Sequence, residues 1–308
     1  MSKQSAFSSS IIKKVWMALT GLFLCTFLIG HLAGNMQLVL KTGEEGRRAF
    51  NEYAYFMAHN PFIKILSYVT YFSIIFHAIQ GLYLAYQNKK ARPQGYAYSN
   101  PSANSSLPSR YMAILGTLIL VFIVTHMANF WWRAKIKEDI PLHYKTKTEI
   151  PTKDPKQYKF KLTYILTTKG DYLICICKEE NSGLYYDVRT LQPLINQADS
   201  CMYRIKNHQE LYDKNTDLKI TEGYKDLHTV VMDFFNPKKN DLALAYLFLY
   251  VISMAVLAFH LWHGFASGFQ SLGLNHKRYT PIIQGAGKLF ALVVPGLFAL
   301  ITILIYLK

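Results

Sequence analysis

The chain has 308 residues, 51% of them hydrophobic, and a formal net charge of +15. The apolar residues are gathered into long blocks separated by charged ones, which excludes an ordinary soluble domain and places the chain in the membrane class. All 19 Asp and Glu lie within 44–52 or 138–241, so the basic excess follows topology and is not the footprint of a nucleic-acid partner.

The N-terminus carries Lys3, Lys13 and Lys14, and the first apolar block follows at 15–40 with Cys25 and His31. It is longer than the apolar part of a signal peptide and lacks a small-residue cleavage site, so it is expected to remain as a helix. A first loop with Asn51, Glu52, Tyr55 and His59 leads to a second block at 63–86, which holds His77 and Gly81. The segment 87–109 is rich in Pro, Ser and Asn and reads as an irregular linker. Arg110 precedes a third block at 111–132, which contains His126. A polar insertion follows, in which YKFKLTYILTTKGDYLICICKEE alternates as a β-hairpin does, with its turn at Lys169, Gly170 and Asp171. Of the insertion's cysteines, Cys201 can bridge Cys175 or Cys177 more easily than those two can bridge each other; a metal site is the weaker alternative. DLHTVVMDFF, 226–235, has one apolar face and is expected to lie along the membrane surface. Blocks four and five span 242–268 and 289–307.

Each block is long enough to cross a hydrocarbon core of about 30 Å. The expected fold is therefore an all-α integral membrane protein with five spans, divided as 1–133, an insertion at 134–240, and 241–308. The N-terminus, the second loop (Lys89, Lys90, Arg92, Arg110) and the fourth loop (Lys277, Arg278, Lys288) hold basic residues and no acid, which places them in the cytoplasm. The insertion and the C-terminus then lie outside the inner membrane. No internal repeat is evident.

Five histidines fall inside the spans: His31, His77, His126, His260 and His263. An ionisable group at membrane depth is a functional hypothesis by default. Helix rise places His31 and His126 together about 22 to 24 Å from the inner edge, and His77 and His260 together about 21 to 27 Å from the outer one. Zinc wants four ligands, and no Cys, Asp or Glu lies at either level. An iron porphyrin needs only two axial imidazoles, so two pairs on four helices suit two haems b and electron transfer. In FHLWHGFASGF, 259–269, His260 is followed four residues later by Gly264, as His77 is by Gly81, and a flat macrocycle needs such clearance. His260 is therefore read as the ligand. His263, about 60° around the helix, is read as a propionate or interhelical hydrogen-bonding residue.

MALTGLFLCTFLIGHLAGN, AFNEYAYFMAHNPF, FHAIQGLYLAY, LVFIVTHMANFW and AFHLWHGFASGFQSLGLNHKRYTP together resemble the five-helix, di-haem cytochrome b anchor of succinate dehydrogenases and fumarate reductases. The resemblance covers roughly two-thirds of the chain. It implies haem ligation by His31, His77, His126 and His260, cytoplasmic flavoprotein and iron–sulphur partners docking on the basic loops, and electron exchange with membrane menaquinone; it allows a dimer of complexes. Some members carry a proton-transferring glutamate two residues before the span-four ligand. Here Ala258 stands there, so that route is not implied, and the insertion has no counterpart in the short members.

A quinone needs polar groups near a haem at the membrane edge. Asn35, Glu52, Tyr55 and His59 are the candidates, and Arg110 is a candidate for an inner propionate. Two other readings stay open: a haem b anchor of a nitrate reductase or hydrogenase type, and a haem-free transporter whose histidines relay protons.

Overall fold

A computed structural model describes residues 10–91, 105–149, 160–179 and 203–308, with positions 94, 100, 103, 185–186 and 193–194 between them. Lys3, Arg92 and Cys201 lie outside the described residues. Five helices are long and apolar enough to cross a membrane: Ile11–Leu40, Pro61–Lys90, Met112–Lys137, Ala243–Ser271 and Thr280–Tyr306. They are spans one to five below. Their large outward residues, such as Ile65, Phe72, Val121 and Phe248, are exposed, as lipid-facing side chains must be in a bundle this apolar.

Local chemistry sets the ends. Span two starts at Pro61, earlier than its apolar run, because the Asn60 side chain caps Phe62 N and Ile63 N and proline suits the first turn. Span five starts at Thr280 and not near 289: Lys288 and the glycines around it look like a loop, yet the helix runs through them and also through Pro295. Span three is α-helical to His126 and then turns π-helical over Met127–Trp131 and Arg133–Lys137, ending at Glu138 in the left-handed conformation.

The chain divides into two compact units. In the membrane unit (1–40, 59–129 and 232–308), span one packs on span two, two on three, three on four and four on one. Span five packs against spans one and four. Cys25, Leu261 and Ala291 form its buried centre at that junction.

The second unit joins 41–58 to 130–231. What reads as a first loop is mostly a helix, Gly43–His59, with Glu44 and Glu45 in its first turn where the helix dipole favours acid. The insertion holds more than a hairpin. β1 (Tyr144–Glu149), β2 (Phe160–Leu166), β3 (Tyr172–Glu179), β4 (Tyr185–Tyr186) and β5 (Pro193–Leu194) form an antiparallel sheet in sequence order. β6 (Tyr203–Lys206), β7 (Glu210–Asp213) and β8 (Lys219–Glu222) form a second. The β2–β3 turn is where the sequence places it: Thr167 N donates to Asp171 O at 2.9 Å and Gly170 takes φ +89°. His143 N to Tyr224 O, and Tyr224 N to Leu166 O, tie the two sheets together over a core of Leu142, Ile165, Cys175 and Leu211. Cys175 is disulfide-bonded. The short helix is Leu227–Phe235, with Asp226 accepting from Thr229 N at its start.

Candidate functional site

The histidines of the membrane unit meet across the bundle's diagonals. The ring centres of His31 in span one and His126 in span three are 5.9 Å apart with planes at 83°. Those of His77 in span two and His260 in span four are 6.3 Å apart with planes at 71°. Two imidazoles bound on opposite sides of one metal atom through bonds of about 2.0 Å have ring centres roughly 6 Å apart. A direct nitrogen-to-nitrogen hydrogen bond would draw them to about 5 Å. The observed spacings lie nearer the first value, a separation that packed ring pairs such as Trp16 and Phe76 also have, at 6.1 Å. Among the described residues no group of three or more His, Cys, Asp or Glu is gathered to hold a metal ion, and each pair presents two imidazoles.

The approach of the helices to these rings is set by glycine. A Cβ on Gly21 would lie 3.0 Å from His77 Cε1, and one on Gly116 would lie 3.6 Å from His260 Cε1. Gly81 and Gly264, the glycines that the spacing singles out, instead face the terminal methyls of Met17 and Met112 at 3.6 and 3.4 Å. Both kinds of contact fit a flat group: two backbone surfaces that admit a ring, and two flexible thioethers that can move aside.

These contacts reveal a repeat that the chain's overall composition hides. MALTG in span one and MAILG in span three align Met17 and Gly21 in sequence with Met112 and Gly116, and each methionine is followed by a histidine 14 residues on. HAIQG and HLWHG do the same for spans two and four. Spans one and three thus share one short pattern, and spans two and four another. The signal was available in the sequence as a shared M-A-x-x-G with a histidine at fixed distance, and period-based reading misses it because lipid-facing positions vary freely.

The surroundings of the four rings differ. Thr20 Oγ1 lies 3.2 Å from His77 Nδ1, and Tyr250 Oη lies 3.2 Å from His126 Nδ1. His31 stacks on Phe27 with ring centres 5.4 Å apart. His260 Nδ1 is buried with no hydrogen-bond partner among the described residues. Such an orphan costs about 1–3 kcal/mol. His263 is partly buried and belongs to neither pair.

The other candidates do not converge. Arg110 is exposed and donates to Ser105 O at 3.2 Å. Asn35 bonds the His31 carbonyl within its own helix. Glu52 pairs with Arg48 at 2.7 Å, and the Tyr55 hydroxyl donates to Glu222 at 3.1 Å, so both are engaged inside the second unit. His59 is exposed at the end of its helix.

The second unit has a polar centre that sequence reading did not foresee. Arg47 donates through Nε (3.0 Å) and Nη2 to Asp226 Oδ2. Asn51 Nδ2 donates to Asp226 Oδ1 at 2.8 Å and lies 3.1 Å from His143 Nδ1, while Asn51 Oδ1 accepts from His228 N. His143 Nε2 and the Tyr172 hydroxyl reach Glu44 Oε1 at 2.8 and 3.0 Å. Asn51 uses its amide to donate, so His143 Nδ1 accepts and Nε2–H donates: the ring is neutral. Burial alone would raise both carboxyls. Hydrogen bonds from His143 and Tyr172 with the Arg47 charge outweigh it at Glu44, and bonds from Arg47, Asn51 and Thr229 do so at Asp226, leaving both below the ordinary range. Burial holds His143 below the usual histidine value despite its bond to Glu44. With Asn51 and His143 at 1% and 0% exposure, this is an internal pin and not an open site.

No protein-family model, curated protein or solved structure matches the chain.

Proposed function

We propose that the chain is the cytochrome b membrane anchor of a succinate:quinone oxidoreductase, carrying electrons between a cytoplasmic iron–sulphur subunit and membrane quinone, menaquinone in the di-haem class it resembles. The observation that carries this reading is the diagonal pairing of His31 with His126 and His77 with His260, at ring separations of 5.9 and 6.3 Å. Two haems b, when bound, would supply reversible one-electron chemistry at two depths in the membrane.

The chain's own residues do the rest. His31, His77, His126 and His260 would hold the haems, two histidines to each, which suits electron transfer. Gly21 and Gly116 bring neighbouring helices onto the rings. Phe27 against His31 and Phe122 against His126, with ring centres 5.4 and 5.7 Å apart, line one centre with apolar surface and keep water off it. The basic segments around Lys13, Lys14, Lys89, Lys90, Lys277 and Arg278 carry no acid, which suits a docking face for an acidic soluble partner on the cytoplasmic side.

The test is to purify the chain with its native membrane partners and add succinate anaerobically. Co-purifying flavoprotein and iron–sulphur subunits with succinate-reducible b-type absorbance are expected. A molybdenum- or nickel-containing partner would move the chain to the nitrate reductase or hydrogenase class, and a colourless protein would return it to the transporters.

A further inference from the structure

Each histidine pair contains one ring whose Nδ1 meets a hydroxyl. Thr20 Oγ1 is 2.8 Å from Trp16 O and 3.2 Å from Met17 O, and donates its single hydrogen to this backbone. Toward His77 it can therefore only accept. That contact requires a ring N–H directed at span one, which leaves the other ring nitrogen, Nε2, to coordinate. Across the pair His260 has no such partner, because the residue in span three that corresponds to Thr20 is Leu115. In the second pair Tyr250, 5% exposed, meets His126 Nδ1, and its oxygen is the acceptor there when Nε2 of that ring coordinates, since Nδ1 then carries the proton; the residue in span two that corresponds to Tyr250 is Ser67, whose hydroxyl is spent on Ile63 O. The shared pattern supplies matching histidines, and among the described residues the hydroxyl contacts are unmatched: Thr20 in span one at one centre and Tyr250 in span four at the other.

Resting on the di-haem reading, we propose that Thr20 and Tyr250 are positioning residues, one for each centre. Each fixes which nitrogen of His77 or His126 faces the metal, and each lowers the reduction potential of its own haem. Holding the distal N–H of a ligating imidazole raises the basicity of the ligating nitrogen and stabilises the oxidised metal. Because Thr20 meets His77 and Tyr250 meets His126, in different pairs, a single substitution should move one potential and leave the other.

The experiment is a redox titration, with low-temperature electron paramagnetic resonance of the oxidised haems, on the whole purified complex carrying wild type, Thr20→Val, Thr20→Ser and Tyr250→Phe. The resonance reports the angle between the two imidazole planes, which a general loss of stability does not move selectively. The expected result is an upward shift of one haem in Thr20→Val, a wild-type value in Thr20→Ser, and an upward shift of the other haem in Tyr250→Phe. Loss of one haem in Thr20→Val with retention in Thr20→Ser supports the same conclusion more strongly. Unchanged potentials and spectra, a shift of the same haem by both substitutions, or equal loss in Thr20→Val and Thr20→Ser would overturn it. A wild type without haem would overturn the functional reading itself, an outcome separate from these.

Discussion

A Cβ built on Gly21 would stand 3.0 Å from Cε1 of His77, tighter than nine in ten real Cβ contacts. The same helix has a control in Gly30, whose Cβ would meet nothing within 4 Å. Overpacking at a fixed ring costs about 1–3 kcal/mol, whereas alanine in a free helical position gains about 0.5–1 kcal/mol over glycine. Gly21→Ala should therefore lower haem occupancy at one centre, roughly ten- to a hundredfold in affinity. Gly30→Ala should bind as wild type. Haem-to-protein ratios of the two purified variants check this, and equal ratios would remove Gly21 from the site.

His260 and His263 sit three residues apart, and only His260 is paired across the bundle. His260→Ala should lose the haem shared with His77, and His263→Ala should keep both. Loss of a haem in His263→Ala with retention in His260→Ala would reverse the assignment, and reduced-minus-oxidised spectra of each variant distinguish the two.

Hydrophobic blocks made the five spans legible, because an apolar run long enough to span lipid has few alternatives. The diagonal meeting of the ring-bearing helices also follows from depth, since His31 and His126 share one level and His77 and His260 the other. The polar pin was not legible: Glu44, Arg47 and Asn51 are brought to His143 and Asp226 from some 90 to 180 positions away in the chain. Only packing makes such contacts visible. The helix Gly43–His59 was missed for a related reason. Its buried positions, Gly46, Phe50 and Asn51, include one aromatic and no aliphatic residue, so the apolar period that marks a helix is absent. The apolar block at 289–307 is shorter than span five because Lys288 and two glycines ahead of it mimic a loop.

Removing Asp226 would leave the Arg47 guanidinium, whose side chain is 22% exposed, without the carboxylate oxygen that accepts two of its N–H groups, and Asn51 without an acceptor. Breaking one side of a mostly buried pair costs about 3 kcal/mol. Asp226→Ala should therefore raise hydrogen exchange in β6 to β8 and at the start of the helix Leu227–Phe235, while Glu45→Ala should not. Equal protection in the two variants would show that the pin contributes little.

The same pin carries a pH dependence with a definite sign. His143 is held neutral by burial, below its unfolded value of about 6.5, so its contribution is present above pH 6.5 and is lost as pH falls through the folded value. Glu44 and Asp226 are also lowered, so theirs persists further and fades as pH falls below about 4. Protonated His143 would also turn an N–H toward the Asn51 amide. Exchange protection of the second unit should be flat from pH 8 to 7 and decline in two stages on acidification. His143→Gln should abolish the first stage. Protection that rises on acidification would contradict the neutral ring.

The central claim is that the four paired histidines hold two haems. It is tested most directly by a pyridine haemochrome assay on the purified membrane complex, with the chain quantified by amino-acid analysis. Two b haems per chain are expected, falling to one in His77→Ala and to one in His126→Ala. A wild-type ratio near zero, or a ratio unchanged by both substitutions, would contradict the account.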